Sequence, residues 1–140
     1  MEKEQKLAKL NEMNQNTLME VLDIRFSDVG ENFIEATMPV TSKVHQPYGI
    51  LHGGASIALA ETVGSVLSAV SIDHKQFKSV GMQMTANHLR PKKDGTVTAR
   101  AEFVKKGRTV HLVKIEIRDE KNEMISYCHL TNSIVPKDYV

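Results

Sequence analysis

His52-Gly53-Gly54-Ala55-Ser56-Ile57-Ala58-Leu59-Ala60-Glu61-Thr62-Val63-Gly64-Ser65-Val66-Leu67-Ser68-Ala69-Val70 holds a single carboxylate, Glu61, and no other acidic side chain follows before Asp73. Apolar residues recur at helical spacing, which predicts one long buried helix opened by a glycine pair. The first turn of a helix has backbone N–H groups without partners, and the helix dipole points its positive end there. Gly53 and Gly54 therefore make a ready-made place for an oxyanion. Glu61 supplies a base or a nucleophile. Eight helical residues at about 1.5 Å each put Gly53 and Glu61 roughly 12 Å apart along one axis, so one chain cannot aim both at one carbonyl. The pattern predicts an obligate dimer with interfacial active sites, one protomer giving the glycine donor and its partner the carboxylate, twice over by twofold symmetry.

Glu61, Ser65 and Ser68 fall at i, i+4 and i+7 and form one polar stripe, while Leu59, Val63, Val66, Leu67 and Val70 cover the rest. A solvated helix face usually carries Lys or more Glu. The small residues Gly54, Ala58, Gly64, Ser65 and Ser68 instead leave room for a partner helix or a thin ligand. Gln46 and His52 bracket the loop before the helix, and both can donate or accept hydrogen bonds near its donor end. None of the six histidines stands at a metal-binding spacing, which argues against a zinc site.

Downstream, four runs have strand character, residues 77–89, 96–104, 110–118 and 124–135, with turns expected at Asp94-Gly95, Lys105-Lys106-Gly107-Arg108 and Glu120-Lys121-Asn122. Val113, Ile115 and Ile117 alternate with Lys114, Glu116 and Arg118, as one dry and one wet face require. On the first of these strands Met82, Met84, Ala86, His88 and Arg90 share a face, and the two basic groups at its end could bind phosphate, with Lys92, Lys93 and Arg108 adding from nearby turns. Cys128 reads as an inert packing residue. Upstream, residues 1–22 read as lead-in helices, the second capped by Asn16, and two strands follow around residues 24–26 and 33–38. The expectation is one domain over residues 1–140, of α+β class: a long central helix wrapped by a curved antiparallel meander.

With 18 basic and 17 acidic side chains and a net charge of +1, bulk charge supports neither nucleic-acid nor membrane-surface binding. The charged start Met1-Glu2-Lys3-Glu4 is unlike a secretory signal and the single Cys128 cannot pair internally, so the cytoplasm is expected. Residues 53–72 nearly reach membrane-spanning length, yet Glu61, Thr62 and four serines mark a buried helix of a soluble protein.

Gln46, His52-Gly53-Gly54, Glu61 and Ser65 together make the sequence resemble the hotdog-fold acyl-CoA thioesterases. The likeness runs from Leu22-Asp23-Ile24-Arg25-Phe26 through Gln46-Pro47-Tyr48-Gly49-Ile50-Leu51 to Asn87-His88-Leu89-Arg90 and the last strand. It looks most like the branch with a glutamate on the helix, which includes the 1,4-dihydroxy-2-naphthoyl-CoA thioesterase of menaquinone synthesis, a proofreading relative from enterobactin synthesis and 4-hydroxybenzoyl-CoA thioesterase. The resemblance implies a homodimer joined at edge strands into one continuous sheet, commonly paired again into a homotetramer. It implies Glu61 as nucleophile or general base and the Gly53 N–H polarising the thioester carbonyl. Gln46 and His52 would orient the thioester, Ser65 would assist the carboxylate or water, and His88 with Arg90 would meet the coenzyme A phosphates. No metal or redox cofactor is required. The expected substrate is an aromatic acyl-CoA, with phenylacetyl-CoA, a medium-chain acyl-CoA, an acyl-loaded aryl carrier protein, or non-catalytic acyl-CoA binding as alternatives. A DNA-binding sensor would need a basic recognition helix that the short N-terminal region does not offer.

Overall fold

The computed structural model describes residues 1–140 and orders them as α1 (Lys3–Glu12), α2 (Leu18–Val21), β1 (Arg25–Val29), β2 (Phe33–Pro39), a 3-10 turn (Ser42–Val44), α3 (Gly53–Val70), β3 (Phe77–His88), β4 (Thr96–Lys106), β5 (Val110–Arg118) and β6 (Met124–Pro136). All six strands join one antiparallel sheet in the order β1-β2-β4-β5-β6-β3. Every strand from β2 to β6 reaches α3, so the sheet curls around the helix. The period-2 alternation drives this. Val113, Ile115 and Ile117 are fully buried while Lys114, Glu116 and Arg118 between them are not. On α3, Leu59, Val63 and Leu67 meet that inner face, each such burial being worth about 1.5–3 kcal/mol. Ala36, Ala99 and Ala101 are wholly buried on β2 and β4, small residues where the helix passes close. Although α3 has 18 residues and a mean hydropathy of 1.3, enough by length and composition to cross a membrane, its apolar face is spent on the sheet.

The strands after α3 do not form a simple meander. β3 pairs with β6 at the sheet edge, and the chain then crosses to place β4 beside β2. Asp94-Gly95 therefore closes no hairpin. The Leu89 and Arg90 N–H groups both donate to the Ile125 carbonyl, which ties the end of β3 to β6, and Pro91 has no N–H to extend a ladder. The crossover is held by Leu51 N–H to the Lys92 carbonyl at 2.7 Å, by the Lys92–Glu120 ion pair, and by Thr96 N–H to Glu120 at 2.9 Å. Gly95, at φ +78, turns the chain into β4. The other two expected turns are hairpins: Gly107 N–H donates to the Val110 carbonyl at 2.9 Å, and Asp119 accepts from the Lys121 and Glu123 N–H groups at 2.9 Å each.

α1 is fastened to β1 by a side chain that imitates a strand. The Asn11 carboxamide accepts from Phe26 N–H at 2.8 Å and donates to the Phe26 carbonyl at 3.1 Å, while Asn14 donates to the Ile24 carbonyl at 2.9 Å. The cap of α2 is Thr17, which accepts from Met19 N–H at 3.2 Å, and not Asn16. Asn16 sits at φ +61 and ends the preceding turn, a conformation asparagine tolerates.

A bulge between Gly81 and Gln83 interrupts β3. It turns Met82 outward to 64% exposure, so Met82 does not share the inner face with Met84, Ala86 and His88, and the strand ends before Arg90. β3 is a twelve-residue edge strand, with Phe77, Val80 and Met82 all exposed.

Candidate active site

The start of α3 is shaped by His52. Its backbone is extended, its carbonyl accepts from the Ala55 and Ser56 N–H groups, and its ring Nδ1 accepts from Gly54 N–H at 2.8 Å. Nδ1 acting as acceptor places the ring proton on Nε2. Three of the first-turn donors are thereby used. The Gly53 N–H alone has no protein acceptor. His52 is thus the helix cap, and Gly54 provides space rather than a free donor, since a Cβ there would lie 2.9 Å from the His52 ring. Gly53 has a similar close neighbour: a Cβ on it would lie 2.7 Å from His88 Nε2.

A recess of about 510 Å³ opens beside Gly53 and brings Gln46, Ser56, His88, Arg90 and Ser126 to its walls. Gln46 belongs to a tight loop in which its N–H donates to the Ile50 carbonyl and Gly49, at φ +78, donates to its carbonyl, both at 2.9 Å. The Tyr48 N–H donates to Gln46 Oε1, which leaves the NH₂ end as the free donor. His88 is fixed by Ser126, which lies opposite it in the ladder with Oγ 2.8 Å from Nδ1. The ring consequently stands at the donor end of the recess. Arg90 pairs with Glu123 at 3.1 Å on the outer rim. Arg108 is not in this recess; it lines another, with Lys105, Thr109 and Thr131, at the β4–β5 hairpin. Within one chain that hairpin abuts the other end of β6, where Ile134 N–H donates to Thr109, so Arg108 does not join His88 and Arg90 in one patch.

Glu61 lies on the exposed side of α3 and makes no ion pair or side-chain hydrogen bond within the chain. Its Oε2 lies 3.3 Å from where a Cβ would stand on Gly81 of β3. Ser65, one turn on, is half-buried. Ser68 leaves the predicted stripe: it is fully buried, accepting from Asn132 Nδ2 at 2.8 Å, with His111 Nδ1 2.9 Å from its Oγ. Gly64 likewise faces the sheet, where Leu130 would lie 2.8 Å from an added Cβ. The small residues of α3 thus serve two sides, and of the predicted polar stripe only Glu61 and Ser65 keep the outward one. Because α3 is continuous from Gly53 to Val70, the separation of about 12 Å between Gly53 and Glu61 holds in the folded chain.

The sequence reading missed Ser126, His111 and Asn132. All three sit at inward positions of strands and are buried. A polar residue in the phase of a buried face was the sign. Burial and the nearby Lys106 charge push the His111 pKa down, so the ring is held neutral. Burial pushes the Cys128 thiol up to about 11, consistent with an inert packing role. Asn132 Oδ1 has no protein partner, a cost of about 1–3 kcal/mol for a buried acceptor.

The sequence pattern of the thioesterase superfamily matches residues 48–126. The 1,4-dihydroxy-2-naphthoyl-CoA hydrolase of Escherichia coli is 40% identical over 129 residues, 92% of this chain and 94% of that protein. A thioesterase of Haemophilus influenzae has a crystal structure similar to this chain at TM-score 0.91 and 41% identity, over 95% of this chain and 92% of that one. A Staphylococcus aureus thioesterase, solved as one variant with a glutamate changed to alanine and one with a glutamine so changed, is similar at TM-score 0.82 and 42% and 41% identity. In both cases 85% of this chain and 98% of that one are covered.

Proposed function

Because this chain belongs to the thioesterase superfamily and is a hotdog-fold thioester hydrolase, we propose that it hydrolyses an aromatic acyl-CoA in active sites shared by two protomers. 1,4-Dihydroxy-2-naphthoyl-CoA is the acyl-CoA to which the similar Escherichia coli hydrolase points. The observation that carries the reading is the division of labour on α3: one uncommitted N–H at Gly53 facing a recess, and one uncommitted carboxylate at Glu61 two turns away. In the Staphylococcus aureus variants the altered glutamine precedes the altered glutamate by the same number of residues as Gln46 precedes Glu61. That spacing supports both residues as working groups.

The thioester carbonyl oxygen sits against the Gly53 N–H, with the Gln46 amide and the His88 ring orienting the thioester from the walls of the recess. The helix dipole adds to the pull on the developing oxyanion, a preorganised donor of this kind being worth about 10² to 10³ in turnover. Glu61 of the partner acts as general base on water, Ser65 assists it, and the thiolate leaves. Arg90 at the rim meets the coenzyme A phosphates, and Arg108 can join it only from the partner.

The unpaired edge of β3 supports two-chain assembly. A long strand with an unpaired edge and exposed Phe77, Val80 and Met82 is a template for pairing, and a second copy can take it up antiparallel. Glu61 reaches β3 at Gly81 and Gly53 reaches it at His88. Carboxylate and donor of opposite protomers come together when the twofold axis falls between those positions, near Met84 and Thr85. A panel of aromatic and aliphatic acyl-CoA esters and an aroyl-loaded aryl carrier protein, ranked by kcat/KM, tests the substrate. The aromatic CoA esters are expected to lead by at least about tenfold. A lead for phenylacetyl-CoA, medium-chain esters or the carrier-protein thioester would contradict this assignment.

A further inference from the structure

Asn132 is fully buried on β6, and its Nδ2 donates to the Gly64 carbonyl at 3.3 Å and to Ser68 Oγ at 2.8 Å. A backbone carbonyl can only accept, so nitrogen is the atom that faces α3 and Oδ1 faces the other way. No protein donor reaches Oδ1. It lies 3.8 Å from the position a Cβ would take on Gly81, its ladder partner, and Glu61 Oε2 lies 3.3 Å from that same position. Two oxygens that only accept therefore flank the gap left by one missing side chain. They cannot hydrogen-bond to each other. A small molecule with two donors and a remaining lone pair satisfies both, and water is that molecule.

We propose that Asn132 is a positioning residue for hydrolysis: across the gap at Gly81, its Oδ1 and the Glu61 carboxylate together hold the attacking water. The proposal rests on Glu61 being the base. One water hydrogen points to Asn132 and the other to Glu61, which aims a lone pair at the thioester carbon. As the water oxygen bonds to that carbon, the proton facing Glu61 passes to the carboxylate and the carbonyl π pair moves onto oxygen, facing a Gly53 N–H. Collapse of this intermediate breaks the C–S bond, and sulfur keeps the electron pair and takes the proton from Glu61. The other water hydrogen stays with the new carboxyl group, so atoms and charge balance. The amide is held at its far end: Ser68, having accepted from Asn132, donates its own O–H to His111 Nδ1 at 2.9 Å.

Two variants test this with different side effects. Asn132→Leu removes the acceptor with a side chain of similar size. Gly81→Ala puts a methyl into the gap, keeps both Nδ2 hydrogen bonds, and asks the Glu61 end group to shift by only a few tenths of an ångström. Each is expected to lower kcat at least about tenfold with KM within about threefold of the unaltered enzyme. With hydroxylamine as a competing nucleophile, the ratio of acyl hydroxamate to free acid is expected to rise, because only hydrolysis needs the held water. If Asn132→Leu does not fold, Gly81→Ala decides alone. Wild-type kcat in the folded variants, or equal loss of hydrolysis and hydroxamate formation, overturns the role of Asn132. Glu61→Ala separates the two readings: an active Glu61→Ala enzyme removes the base itself, whereas an inactive one beside fully active Gly81→Ala and Asn132→Leu enzymes removes only the water-holding amide.

Discussion

Replacing Gly53 by proline deletes one hydrogen-bond donor without breaking a hydrogen bond of the chain. Gly53 is the first residue of α3, the position where proline is best accepted, and its N–H has no partner in the chain to lose. His52, at φ −68 and ψ 129, already has the extended backbone required before proline. Both proline and alanine add a Cβ, and that Cβ meets His88 Nε2 at 2.7 Å, so Gly53→Ala measures the displacement of His88 by itself. The ratio between the two variants reads the loss of the N–H together with the proline Cδ that takes the place of its hydrogen. One oxyanion donor is worth about 10² to 10³ in turnover, or roughly 2.7–4 kcal/mol, so kcat/KM of Gly53→Pro should fall at least that far below Gly53→Ala. Steady-state release of free thiol from an aroyl-CoA, with thermal melts of both variants, gives the comparison. A Gly53→Pro enzyme that melts with Gly53→Ala and turns over within about threefold of it would show that no oxyanion forms at this N–H.

Three other outcomes are expected. Because burial lowers the His111 pKa below its ordinary 6.5, the unfolded chain takes up the proton first; stability present above that pH is lost as pH falls below it, and His111→Gln should flatten that part of a melting-temperature profile. Asn11→Ala removes both hydrogen bonds that fasten α1 to β1 and should cost about 1–3 kcal/mol by urea unfolding while leaving kcat unchanged, since α1 touches no wall of the Gly53 recess. Glu61→Ala should keep the fold and dimer, because the carboxylate makes no bond within the chain, yet lose at least about 10² in kcat; near-normal turnover would remove Glu61 from the chemistry.

The long helix and most strands were legible because their periods are strong: α3 begins at the predicted glycine pair, and β5 spans the residues its alternation marked. Strand order was not legible. Asp94-Gly95 has hairpin chemistry, but whether it joins neighbours depends on what β3 pairs with, and that is a long-range choice between β4 and β6. Face assignments failed for two physical reasons. A single bulged residue, Met82, inverts the alternation within β3, and Ser68 turns inward because His111 and Asn132 wait beneath it. Gln46 and Gly53 come together as the sequence pattern suggests, and His88 joins them, while Arg108 stands apart because the β4–β5 hairpin projects from the opposite end of β6. Strand phase and the family resemblance both set His88 with the phosphates, and neither marks Gly53 as its neighbour. The Ser126 hydrogen bond that draws it to Gly53 crosses between strands distant in the chain.

A mixed dimer tests shared active sites most directly. Glu61→Ala and Gly53→Pro chains, each inactive as its own dimer, are produced together with different purification tags so that only dimers containing one of each are kept. Crossed sites give one interface with both groups intact and one with neither, so the mixed dimer should recover about half of wild-type kcat per dimer. Activity no higher than that of either parent would mean that donor and carboxylate belong to the same protomer.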